Sequence, residues 1–158
     1  MTDVNKVIKD AIEIVKVSKK AKDITFSTSL QENLPLLPLV PDQIEQVFIN
    51  LLLNSVDALQ DQEPSSLKKV SKHKLVSVSS KLMDDMLLVT VEDNGKGIRQ
   101  EDLSKIFEPF YTTKKVGEGT GLGLWVSYGI IKSFRGEIRV NSNEGSGTSF
   151  TIRLPIQN

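Results

Sequence analysis

The chain has 158 residues and a mass of 17.5 kDa, with 20 Lys and Arg against 20 Asp and Glu, so its formal net charge is zero. That balance excludes the basic excess of a general nucleic-acid binder, and 39% hydrophobic with 25% charged residues describes a globular chain able to bury a core without staples. Cysteine is absent and His73 is the single histidine, which excludes disulfides, thiol nucleophiles, Cys-based zinc sites and multi-His metal sites.

Apolar residues at Val4, Val7, Ile8, Ala11, Ile12, Ile14 and Val15 predict an amphipathic helix from Val4 to Lys19. Ile24 to Leu30 alternates as a half-buried strand, and prolines 35, 38 and 41 then predict an extended connector. Pro41-Asp42 opens a long helix to about Gln60, followed by a polar loop over 61–74. Strands follow near Leu75–Lys81 and Met86–Glu92, turning at Met83-Asp84-Asp85. A second clear helix is predicted from Leu122 to Phe134, and the chain closes with strands near Glu137–Ser142 and Thr148–Leu154. Early and late strands separated by helices predict an α+β chain, a sheet with helices packed on one face. No apolar run has the length of a membrane span, so the expectation is a cytoplasmic chain with no direct membrane contact.

On a helical wheel, the long helix has a broad apolar face built on Ile44, Val47, Phe48, Leu51 and Leu52. Ile49, Leu53 and Val56 form a second, and Asn50, Asn54 and Asp57 make a narrow polar stripe between them, with Gln46 and Asp61 beside it. Asn50 and Asn54 stand one above the other at i and i+4. The stripe reads either as the wet side of the helix or as one wall of a pocket. In the second case the amide oxygens are hard, neutral ligands suited to Mg²⁺.

Val89-Thr90-Val91-Glu92 leads into Asp93-Asn94-Gly95-Lys96-Gly97-Ile98. Asn-Gly after alternating apolar residues is a hairpin signal. The same glycines also permit close approach of a flat ligand, with Asp93 as acceptor for an exocyclic amine such as that of adenine. Further on, Gly117-Glu118-Gly119-Thr120-Gly121-Leu122-Gly123-Leu124 runs directly into helical sequence, where freed backbone N–H groups and the helix dipole favour an anion such as phosphate. Leucine at 122 and 124 breaks GxGxxG, and no Gly-Lys pair is followed by Ser or Thr, so neither a dinucleotide fingerprint nor a P-loop is present. Between these stretches, Phe107-Glu108-Pro109-Phe110-Tyr111-Thr112-Thr113-Lys114-Lys115 joins aromatic anchors to two lysines within reach of a phosphate.

Taken in order, Asn50-Leu-Leu-Leu-Asn54-Ser-Val-Asp57, Asp93-Asn-Gly-Lys-Gly97, Phe107-Glu-Pro-Phe110, Gly119-Thr-Gly-Leu-Gly-Leu124 and Gly145-Ser-Gly-Thr148 resemble the N, G1, F, G2 and G3 boxes of the catalytic, ATP-binding domain of bacterial sensor histidine kinases. The resemblance runs from about residue 3 to Pro155. It implies a Bergerat-type two-layer α/β sandwich with a mixed, largely antiparallel sheet, filling residues 1–158 as one domain with a lid at about 107–120 and the phosphoacceptor helical domain absent. By resemblance, Asn54 binds Mg²⁺, Asn50 sits beside it near the phosphates, and Asp93 takes the adenine amine with Gly95, Gly97, Ile98 and Thr148 nearby. Gly119, Thr120, Gly121, Leu122, Gly123 and Leu124 line the triphosphate. Phe110, Thr113 and Lys114 belong to the lid side, Lys114 as a phosphate contact, and Asp57 completes the nucleotide set.

The implied activity is transfer of the γ-phosphoryl group of Mg·ATP to a histidine on a separate dimerisation domain, with a response regulator downstream. His73, in Lys72-His73-Lys74, is not that acceptor. Two departures stand out: Ser55 where Ala is usual, and Phe134-Arg135-Gly136 for a frequent His-Gly-Gly, which bears on the helix cap. An autonomous ATPase of the same fold is the first alternative. Related ATPases carry Glu one turn before the metal-binding Asn as general base, whereas Asn50 stands here and Asp57 is the only substitute. A non-catalytic nucleotide-binding module and an anti-sigma-type serine kinase are further alternatives. Without a heptad seam, the domain alone is expected to be monomeric.

Overall fold

The computed structural model describes residues 1–61, 73–114 and 121–156. Helix α1 (Val4–Lys16) starts where the Asp3 carboxylate accepts the Lys6 N–H at 3.2 Å, and it buries the periodic apolar face from Val4 to Val15. It stops three residues earlier than the pattern predicts. Val17 is 83% exposed and offers no burial to extend it, and Lys19–Ala21 form a separate 3-10 turn.

Strand β1 (Thr25–Leu30) is followed by α2 (Pro41–Gln60), whose Pro41 occupies the first turn, where its missing N–H costs nothing. Strand β2 (Leu75–Met83) turns at Asp84 and Asp85, both at positive φ, into β3 (Met86–Asp93). Helix α3 (Gly123–Ser133), β4 (Glu137–Asn143) and β5 (Gly147–Pro155) complete the described elements.

The five strands form one sheet in the order β1-β2-β3-β5-β4, antiparallel except for the parallel β1–β2 pair. Parallel neighbours need a crossover, and α2 is that crossover. It packs on the sheet with α1 and α3 on either side, which is why it carries two apolar faces. Val76, Val78, Leu87, Val89, Val91, Phe150, Ile152 and Leu154 point inward to meet it. The outer face follows the alternation, and Thr90 and Thr151 pair their hydroxyls across β3 and β5 at 3.3 Å.

Two side-chain clusters tie the end of α2 and the end of β3 to the start of β2. The Gln60 amide donates to Asp23 at 2.7 Å and accepts from Lys74 at 2.6 Å, and Lys74 also meets Asp23 at 2.9 Å. Asn94, just past β3, donates to the His73 carbonyl at 2.7 Å and accepts the Leu75 N–H at 2.9 Å. The chain on either side of residues 62–72 is therefore held together at one end of the sheet.

Candidate functional site

A cleft of about 590 Å³, within the range of small-molecule sites, opens between α2, the end of β3, the segment 96–114 and the start of α3. Its floor is Asp93, which is 6% exposed at the end of β3 opposite Thr148. Burial pushes its carboxyl above the usual range, opposed by the Gly95 N–H at 2.9 Å, by Ser55 and by the Thr148 backbone. The Ser55 hydroxyl, itself buried, faces this carboxyl at a geometry short of a full hydrogen bond. Thr148 is steadied through Ser142, whose hydroxyl lies 2.8 Å from that of Thr148 and accepts the Ile98 N–H at 2.8 Å.

The glycines after Asp93 do not make a hairpin. The Lys96 N–H bonds the Ala58 carbonyl of α2 at 3.2 Å, and the Lys96 carbonyl accepts from Gly145. A Cβ at Gly97, where φ is +74°, would sit 2.1 Å from the Asn143 carbonyl oxygen. The turn is therefore wedged between α2 and the β4–β5 connection, leaving its upper side to the cleft.

The α2 wall carries Asn50, Asn54 and Asp57. Asn50 is fully engaged: its amide nitrogen donates to the Gly123 carbonyl at 3.1 Å and to the Ser127 hydroxyl at 3.2 Å, and its oxygen accepts from Gln46 at 3.1 Å. Among the described residues no hydrogen bond ties the Asn54 amide, one turn further on. Asp57 pairs with Lys20 at 3.5 Å and with Lys114 from the opposite side of the cleft. The far wall is Gly121, Gly123 and Leu124. Gly121, at φ +68°, packs against the Phe110 backbone and accepts its N–H at 2.8 Å.

The cleft thus brings together Asn50, Asn54, Asp57, Asp93, Gly97, Ile98, Thr113, Lys114, Gly121, Gly123, Leu124 and Thr148. Gly95 is packed beneath it, where a Cβ would lie 2.8 Å from the Ala58 carbonyl oxygen. Leu122 caps α3 rather than lining the cleft, and Phe110 is 73% exposed, turned away at φ +66°. Gly119 and Thr120, with the lid sequence 115–120, lie outside the described residues.

Sequence reasoning missed several cleft residues. Asp102 is buried, and the Tyr111 hydroxyl first and then the Arg99 guanidinium at 3.0 Å hold its carboxyl below the usual range. The same bond pushes the Tyr111 hydroxyl up and ties Tyr111 to the turn at Asp102. Buried Ser127, behind the cleft wall, was also missed.

For a divalent ion, the donor chemistry fits only a partly protein-bound site. No cluster of three acidic or histidine ligands exists among the described residues, and the untied Asn54 amide is a hard oxygen donor on the cleft wall, one turn from the Asp57 carboxylate. That suits Mg²⁺, which keeps waters and shares substrate phosphates.

A mixed sheet covered on one face by helices, with a cleft between the crossover helix and a glycine-led helix, is the Bergerat class of ATP-binding fold. The profile of the histidine kinase-, DNA gyrase B- and HSP90-like ATPases matches residues 39–158. The chain belongs to that family and is a catalytic ATP-binding domain of the sensor histidine kinase type. It is 36% identical over 155 residues to sporulation kinase E of Bacillus subtilis, covering 98% of this chain and 19% of that protein. It is 34% identical over 154 residues to the sensor histidine kinase ZraS of Escherichia coli, covering 98% of this chain and 30% of that protein. The chain therefore spans less than a third of either relative's length. Among solved structures, the nucleotide-free catalytic domain of histidine kinase ThkA superposes with a TM-score of 0.78 at 26% identity, covering 98% of this chain and 95% of that one. Among the described residues no helix is long and apolar enough to cross a membrane.

Proposed function

We propose that this domain binds Mg·ATP and donates the γ-phosphoryl group to a histidine on a separate helical dimerisation domain, from which a response regulator is served in two-component signalling. One observation carries the choice of transfer over hydrolysis. At the turn of α2 before Asn54 stands an amide, Asn50, already bonded on both its oxygen and its nitrogen, and an amide cannot take a proton from water. Asp57, the nearest carboxylate, is held between Lys20 and Lys114. A neutral imidazole needs no such base. Its nitrogen bonds to the γ-phosphorus as the bond to the β,γ-bridging oxygen breaks, and ADP leaves with that electron pair.

In this reading Asp93 accepts the adenine amine, the Gly97 turn admits the ring, and the first turn of α3 faces the phosphates. Lys114 exchanges Asp57 for a phosphate oxygen, and Asn54 supplies the protein ligand to Mg²⁺. The bound ion offsets phosphate charge, since phosphoryl transfer asks for positioning and neutralisation more than covalent help. The domain occupies residues 1–158 as a single unit in a cytoplasmic setting, and the accepting histidine lies on another domain of the parent kinase.

The test is phosphate release from Mg·ATP by this chain, with nucleotide binding recorded in the same samples. Binding with negligible release is expected, and Asn54→Ala should remove most of the Mg²⁺ dependence of binding. Sustained turnover abolished by Asn54→Ala would make the domain an ATPase, with Asp57 the first suspect as base.

A further inference from the structure

We infer that Asn50 and Ser127 form a clamp that fixes the first turn of α3 against α2, so that Asn50 serves the site as a positioning residue. The hydrogen bonds admit one arrangement only. The Gly123 carbonyl can only accept, so the Asn50 –NH₂ must face it at 3.1 Å. The Ser127 hydroxyl donates to the same carbonyl at 2.8 Å, leaving its lone pairs to accept from Asn50 at 3.2 Å. The Asn50 oxygen is thereby turned to Gln46, which donates at 3.1 Å. The Asn50 amide nitrogen is thus spent on α3 and its oxygen accepts from Gln46, whereas Asn54 one turn on is untied among the described residues.

The clamp matters because of what it holds. Helix α3 begins at Gly123 with no side-chain cap, behind a Gly121 at positive φ. Glycine at both positions leaves the helix entry weakly determined by its own backbone. A Cβ added at Gly123 would meet the Asn50 side chain at 3.7 Å, ordinary contact, so the two elements already touch there. Ser127 is 0% exposed and takes no part in the cleft lining, so its hydroxyl can act on a nucleotide only through Gly123 and Asn50. The bonds span 73 and 77 residues of chain and tie the metal-side helix to the phosphate-side helix. This role rests on the proposal above that the phosphates meet the start of α3.

Ser127→Ala removes the two clamp bonds made by its hydroxyl, to Asn50 and to the Gly123 carbonyl, without touching the cleft. Asn50→Asp keeps the shape and an oxygen ligand but sets a carboxylate with no N–H against the Gly123 carbonyl. Both variants and the double variant should be compared with the parent chain for ATP and adenosine affinity and for hydrogen exchange of residues 123–128.

Each single variant should lose roughly three- to tenfold in ATP affinity, the range of one or two net hydrogen bonds, with adenosine affinity held within about twofold. The first turn of α3 should exchange faster in both, and the double variant should be little worse than either single one. A silent Ser127→Ala beside a crippled Asn50→Asp, or an Asn50→Asp that binds Mg·ATP as well as the parent, would overturn the clamp. Equal losses for ATP and adenosine would reduce it to a general folding contact. If the parent chain bound no ATP, the functional proposal would fail while unchanged exchange in both variants would still refute the clamp.

Discussion

Asp93 carries a conflict between its burial and the role proposed for it. Its carboxyl is buried, which disfavours the charged form, yet the proposed acceptor for an adenine amine works best charged. With the folded-state pKa raised above the ordinary 3.8, the folding penalty is present above that raised pKa and is relieved as pH falls through it. Nucleotide affinity should run the other way, falling at a pH where surface carboxylates are still ionised. Asp93→Asn removes the charge but keeps an oxygen for the Gly95 N–H. It should raise the melting temperature by a few degrees, as about 1 kcal/mol shifts a chain of this size by roughly 2–4 °C, while abolishing nucleotide binding. Calorimetric melts and binding titrations on the same preparation check both halves. Asn50, Asn54 and Asp93 were legible as site candidates only through the order of the motifs, since a polar helix stripe and an Asp-Asn-Gly turn each have a structural reading of their own. Ser127 and Tyr111 were not: a serine inside a helix and a tyrosine after Phe110 carry no signal until the partners across the fold are known.

At the scale of elements, the polar stripe of α2 was readable from helical periodicity, and so was the helical start after the glycine run. The parallel pairing of β1 with β2 was not, since alternation reports which face is buried and not which way a neighbour runs. The stretch 98–110 showed no period because it is a succession of turns held by side-chain bonds such as Arg99 to Asp102. The end of α3, left in doubt by Phe134-Arg135-Gly136, closes in a Schellman arrangement. The Gly136 N–H bonds the Ile131 carbonyl at 2.9 Å and the Arg135 N–H that of Lys132 at 3.0 Å. The residue in the left-handed position is Arg135, at φ +59°, where glycine would be unstrained. Gly136 behind it cannot change, because a Cβ there would meet the Arg153 carbonyl oxygen at 2.6 Å. Arg135→Gly should therefore stabilise the domain by about 1 kcal/mol without altering nucleotide affinity, as denaturant titration would measure.

Over the whole molecule, the order of five motifs gave the family before any contact was known, and four of the five, all but Phe107-Glu-Pro-Phe110, put residues on the same cleft. What joins those walls lay beyond the sequence: Asp57 with its two lysines, and the side chains that gather α2, β2 and β3 at one end of the sheet. That gathering has an engineering consequence. Lys74 already touches Gln60, and Asn94 holds the His73 carbonyl, so the described residues on either side of 62–72 are fixed without help from that span. Closing a longer loop between fixed ends costs only about 0.6 kcal/mol per doubling. A reporter domain spliced between residues 62 and 72 should leave ATP affinity within about twofold and the melting midpoint nearly unmoved, giving the domain a fluorescent label that follows it without disturbing its nucleotide binding.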